Sequence, residues 1–307
     1  MERQYVLIAV LSSIAAFSII ILTFPPALDI NLLNPNAIAA IIIFQVASWT
    51  LSSVRTRIVA ENERIKLSLA ESFKINMIYM FYVLLTPSSI GGEPVKIKLL
   101  KNLCKSYGKA SAVVCIEKYC DFTALLSIAL ALLIITKDVM LLTPIAFLSV
   151  ALALLLLSIH VPQLLLKRIK RKRIRDIVED FSRAKDIFFS TPLSCFLKSF
   201  LLSITSTVLN FLTLSLVLIA LGYAPYILLC IEAQLILYVF GFLFITPGGS
   251  GFTELGIAYF LLSALPKNVV GVAVALWRVL TYFFTLLIGM VINVRYLTKS
   301  SKVAVSR

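Results

Sequence analysis

Residues 226–254 read YILLCIEAQLILYVFGFLFITPGGSGFTE, an apolar run that stops at Pro247 and passes through Gly248, Gly249, Ser250 and Gly251 before an acid, Glu254. The run approaches the ~20 residues that cross a hydrocarbon core, yet proline and three glycines break it where a helix should continue. Residues 73–93, FKINMIYMFYVLLTPSSIGGE, repeat the design with Pro87, Gly91, Gly92 and Glu93. Both stretches read as broken helices that enter and leave the bilayer on one side, because irregular backbone at membrane depth survives only inside protein or a cavity.

The rest of the chain places these breaks in an all-α integral membrane protein. Sixty per cent of the 307 residues are hydrophobic, 14% are charged, and the mean hydropathy is +0.98. A soluble domain does not carry such a composition. About six transmembrane helices are expected, over 4–24, 37–54, 110–136, 139–160, 194–221 and 268–294, with re-entrant hairpins over 73–100 and 226–265. The first run ends in Pro25 and Pro26 without a small-residue cleavage site, so it reads as a retained helix.

Charge sets the orientation. Arg55, Arg57, Arg64, Lys66 and Lys74 precede the first break, and Lys96, Lys98, Lys101, Lys105 and Lys109 follow it. Cations collect on the cytoplasmic side of short loops, so a hairpin keeps both clusters inside where a crossing would not. The same rule places both termini in the cytoplasm of a multi-pass cell-membrane protein. The net charge of +14 then reports orientation and not nucleic acid, since the cations flank apolar runs and form no separate basic domain. Residues 164–188 set Ile174, Ile177, Val178, Phe181, Ala184 and Phe188 on one stripe beneath nine Lys and Arg of 167–185, a basic amphipathic helix that either lies on anionic head groups or is a solvated orienting loop.

Five cysteines without a close pair and a single histidine, His160, supply neither a metal cluster nor the usual nucleophile pairs. No cofactor, metal or catalytic residue is expected, and the chain does not read as an enzyme.

A shift of 160 residues superimposes Thr86-Pro87 on Thr246-Pro247, Gly91 on Gly251 and Lys118 on Arg278, while Glu93 and Glu254 differ by one residue more. Each half, 1–136 and 137–307, then reads as span, span, hairpin, span, and three crossings per half invert the second. Inverted repeats with paired broken helices hold substrate near the bilayer midplane. Glu93, Lys118, Glu254 and Arg278 are the expected substrate contacts, with Gly91, Gly92, Gly248, Gly249 and Gly251 shaping the tips. Glu117, Asp121, Glu232, Pro87 and Pro247 support them. Charged groups at such depth cost at least ~2.5–3.5 kcal/mol and need partners. Lys118 is within a turn of Glu117 and Asp121 and can pair with either, or face Arg278 as a two-cation phosphate clamp. The breaks themselves are either plain hairpin tips or tips that also touch ligand.

The motifs Thr86-Pro-Ser-Ser-Ile-Gly-Gly-Glu-Pro-Val-Lys96 and Thr246-Pro-Gly-Gly-Ser-Gly-Phe-Thr-Glu-Leu-Gly256 resemble those of the lysylphosphatidylglycerol synthase transmembrane-region family. Glu117-Lys118-Tyr119-Cys120-Asp121 resembles that family's Glu-Arg-x-x-Asp helix with Lys for Arg, and Trp277-Arg278 its aromatic-Arg pair. The resemblance implies a flippase-like transporter of an anionic or aminoacylated phospholipid, or a related lipid-linked head group, working by alternating access. It implies membrane lipids as partners, with a second copy of the chain and a separate lipid-modifying enzyme as further candidates. Synthase activity is not carried over, because no soluble transferase domain follows in this sequence. A membrane enzyme acting on a lipid-linked substrate and a non-transporting scaffold are the rival readings.

Overall fold

The computed structural model describes residues 34–86, 91–158, 172–241 and 246–305, and every regular element among them is helical. The expected span over 4–24 and the tip residue Pro87 lie outside the described residues.

Helix α1, Pro35–Asn62, starts where Asn34 Oδ1 accepts the N–H groups of Asn36 and Ala37 at 3.0 and 3.4 Å, with Pro35 in the first turn, where its missing N–H costs nothing. It outruns the expected 37–54 by two turns. Helix α2, Leu69–Leu85, opens with a capping box: Ser68 Oγ accepts from Glu71 N at 3.2 Å and the Glu71 carboxylate accepts from Ser68 N at 3.0 Å. Those bonds from Ser68 hold the Glu71 carboxyl below its usual range. After the first break, α3 runs Gly92–Cys104 and α4 Tyr107–Thr136, the latter closed by Lys137 at φ 57°.

A 3₁₀ turn, Val139–Leu141, leads into α5, Leu142–Ser158, and α6 spans Lys172–Ser190. Helix α7 is Leu193–Ala220 and α8 Ile227–Gly241. After the second break come α9, Phe252–Leu261, and α10, Lys267–Arg278. A π-helical turn, Val279–Phe283, joins α10 to α11, Phe284–Val305. Among the described residues, five stretches are long and apolar enough to cross a membrane: Pro35–Asn62, Tyr107–Thr136, Val139–Leu157, Leu193–Ala220 and Lys267–Thr298. Helices α2, α3, α8 and α9 are shorter, as the breaks require.

The chain gathers into two compact units. One takes in Met77–Gly92, Val208–Arg307 and the described part of Met1–Ser48; the other holds Trp49–Asn76 and Glu93–Thr207. In the first, Ile41, Leu214, Leu218, Cys230, Ile257 and Trp277 belong to one buried core that fixes α8, α9 and α10 around the second break. In the second, α6 packs along α4. Phe181 stacks on Tyr107 at 5.2 Å, Phe188 meets Tyr119 edge-on at 5.6 Å, and Ala184 and Phe188 are buried. The described part of the apolar stripe of α6 is spent on protein. Asp180 fixes the contact by accepting from Ser106 Oγ at 2.8 Å and Tyr107 N at 2.6 Å, at the start of α4.

Candidate functional site

The second break is tightly wound. Gly248, Gly249 and Gly251 have φ of 57°, 66° and 91°, the left-handed region that side chains disfavour. At Gly248 space is also decisive, because a Cβ there would sit 2.2 Å from the Tyr282 ring. The turn is held by Gly249 N donating to Thr246 O at 3.1 Å and Ser250 N to Pro247 O at 3.1 Å, and Pro247 is buried.

Into this turn projects Arg278 from the end of α10, only 6% exposed. Its Nε donates to Glu254 Oε1 at 2.7 Å, and Nη2 donates to Gly248 O at 2.9 Å and Ser250 Oγ at 3.5 Å. Glu254 Oε2 accepts from Gly251 N at 2.7 Å, at the N-terminus of α9. A carboxylate gripped by a guanidinium, a glycine N–H and a helix N-terminus is the usual make-up of a protein anion site, filled here by the chain's own acid. The guanidinium carbon also lies 4.4 Å from the Tyr282 ring centre, and Tyr282 Oη donates to Leu84 O at 3.2 Å, on the run into the first break. The π-helical turn begins at the residue after Arg278; such turns re-aim side chains within a helix. Glu232 is buried on α8, in the same unit.

The first break differs. Gly91 N donates to Thr86 Oγ1 at 2.9 Å, and a Cβ on Gly92 would meet Val83 at 2.3 Å, so α3 starts hard against α2. In the second unit Glu93 pairs with Lys118 at 2.6 Å, their side chains 27% and 21% exposed. The ion pair of Lys118 is with Glu93, which corrects the expectation of Glu117 or Asp121 as its partner. Arg278 likewise pairs with an acid of its own unit, Glu254.

Glu117 and Asp121 instead serve two cations, Arg55 and Lys96, counted from sequence among the clusters that flank the first break. Arg55 and Lys96 are 6% and 3% exposed. Lys96 Nζ lies 2.7 Å from Glu117 Oε2 and donates to Asn76 Oδ1 at 2.6 Å and Thr56 Oγ1 at 3.0 Å. Arg55 pairs with Asp121, lies 3.8 Å from Glu117 Oε1 and also donates to Ser203. The hydroxyl of Thr56 donates to Glu117 as well. Two cations and two carboxylates thus neutralise one another within the second unit. Two signals pointed here: α1 carries no breaker between the apolar run and Arg55, and Lys96 is one helical turn beyond Glu93. Without these two, four exposed or half-exposed cations still precede the first break (Arg57, Arg64, Lys66, Lys74) and four follow it (Lys98, Lys101, Lys105, Lys109), so the charge argument for a hairpin keeps its balance.

Buried ion pairs among long apolar helices mark a polytopic membrane protein. The family model for the lysylphosphatidylglycerol synthase transmembrane region matches residues 5–289, and the chain belongs to that family. It is also similar to a UPF0104 membrane protein of Archaeoglobus fulgidus, 30% identical over 322 residues that cover 96% of this chain and 98% of that protein.

Proposed function

We propose that the protein is a flippase-like transporter that moves an anionic or aminoacylated phospholipid, or a related lipid-linked head group, across the cell membrane by alternating access. The observation that carries the reading is the Arg278 site: a buried guanidinium at a glycine-rich helix break in a chain this apolar has no solvation role, and its donors match a phosphodiester. The head group enters the polar site while the acyl chains stay in lipid, and the protein moves its substrate without covalent chemistry. Both termini are cytoplasmic in this reading.

The repeat supports the same conclusion. Glu93 with Lys118 and Glu254 with Arg278 are the same pairing, a helix-restart acid with a cation 25 and 24 residues further on, formed separately in the two units. Residues 1–136 and 137–307 are therefore read as inverted repeats, the design on which alternating access is built.

Reconstitution into liposomes with fluorescent phosphatidylglycerol, lysylated phosphatidylglycerol and phosphatidylcholine tests the proposal. Rapid loss of signal to external dithionite beyond the outer-leaflet half, for the anionic or aminoacylated lipid and not for phosphatidylcholine, is the expected result. Loss no faster than in protein-free liposomes for all three lipids contradicts it.

A further inference from the structure

We infer that Glu254 is a latch occupying a phosphodiester site, and that it is released when the Gly251 N–H passes from the Glu254 carboxylate to the Thr246 hydroxyl. The inference rests on the transport reading above and adds the switch. Its basis is a difference between the breaks at equivalent positions. In the first, Gly91 N donates to Thr86 Oγ1 at 2.9 Å, and that hydroxyl donates to Tyr82 O at 2.7 Å. In the second, the same spacing of five residues places Gly251 after Thr246, but Gly251 N donates to Glu254 Oε2 at 2.7 Å. Thr246 Oγ1 is buried with no hydrogen-bond partner among the described residues. A buried hydroxyl left without a partner is costly, and a second arrangement in which it is satisfied accounts for it.

The first break therefore displays what the second becomes on release. The glycine N–H returns to the threonine, the acid leaves the helix start, and its pairing with the cation opens to the extent seen for Glu93 and Lys118, which are 27% and 21% exposed where Glu254 and Arg278 are 4% and 7%. Release frees the Nε–H of Arg278 and the start of α9 for one monoanionic phosphodiester, which presents two oxygens where the carboxylate did. A single ligand cannot share those donors with Glu254. Binding and latching exclude each other, so head-group affinity measures the balance between the two states.

The test uses the full-length protein in detergent, with dioctanoyl phosphatidylglycerol as the lipid probe and inorganic phosphate as the free anion. Glu254→Gln keeps the side-chain shape and an acceptor for Gly251 but loses the charge that holds Arg278. It is expected to raise affinity for the lipid probe about tenfold or more over wild type. A parallel gain for inorganic phosphate identifies the bare anion as the recognised group, and a gain for the lipid alone assigns the glycerol ester as well; either supports the latch. Thr246→Val, which touches no bond of the latched state, is expected to leave the melting temperature unchanged or raised while slowing lipid flipping about tenfold. Unchanged affinity in a folded Glu254→Gln, or normal flipping in Thr246→Val, overturns the latch even if wild type flips lipid. Gain of binding by Glu254→Gln in a protein that flips no lipid supports the latch and contradicts the transport reading instead.

Discussion

Glu254 with Arg278 and Glu93 with Lys118 are one design in two settings. The first pair is sealed at 4% and 7% exposure and braced by Gly248, Ser250 and Tyr282; the second is open at 27% and 21%. A sealed pair has given up its water and relies on its partner, so losing one member strands a charge. A half-buried pair has given up less of its surroundings, so losing one member strands its partner less completely. The two pairs join similarly spaced residues, and the packing around each break decides how strongly each pair is held.

The largest effect should come from removing one side of the sealed pair. Arg278→Ala leaves Glu254 buried without its cation and is expected to destabilise the protein by about 3–5 kcal/mol, read by thermal unfolding in detergent, and to abolish lipid flipping. Glu117→Leu, which takes a carboxylate from both Arg55 and Lys96, should fall in the same range without touching either tip. It separates the cost of stranding charge from the role of the break. Gly248→Ala comes next: φ of 57° and the Tyr282 ring 2.2 Å from the added methyl predict about 1–3 kcal/mol and a displaced Tyr282, seen as altered tyrosine fluorescence or circular dichroism. Smallest is Lys118→Ala, which leaves Glu93 only half-buried and is expected to lower stability by clearly less than Arg278→Ala in the same unfolding measurement. A Lys118→Ala loss as large as that of Arg278→Ala would erase the distinction between the settings.

Much of this was legible in the sequence because membrane burial writes long apolar runs and their interruptions plainly. Pro247 with its following glycines, and the shift that aligns Lys118 with Arg278, located both breaks and both cations. Partner choice was harder to read. Glu117 and Asp121 lie within one helical turn of Lys118, and local spacing favoured them, yet the restarting helix α3 presents Glu93 to Lys118, while the other two acids meet Arg55 and Lys96. The burial of Arg55 and Lys96 was hidden for a related reason. A cation just beyond an apolar run looks the same in sequence whether the helix stops and meets water or continues, and α1 continues to Asn62. The amphipathic stripe of α6 was visible, but only the structure shows that Tyr107 and Tyr119 of α4 cover it.

The central claim is that the buried charge at the second break is there for transport and not for folding. Replacing Glu254 and Arg278 together by leucine removes both charges at once, a change that buried pairs commonly tolerate without loss of stability. Measured by dithionite accessibility in liposomes carrying fluorescent phosphatidylglycerol, the account predicts a folded double variant with a melting temperature at or above wild type and no flipping beyond protein-free liposomes. A folded double variant that flips the lipid at the wild-type rate would contradict it.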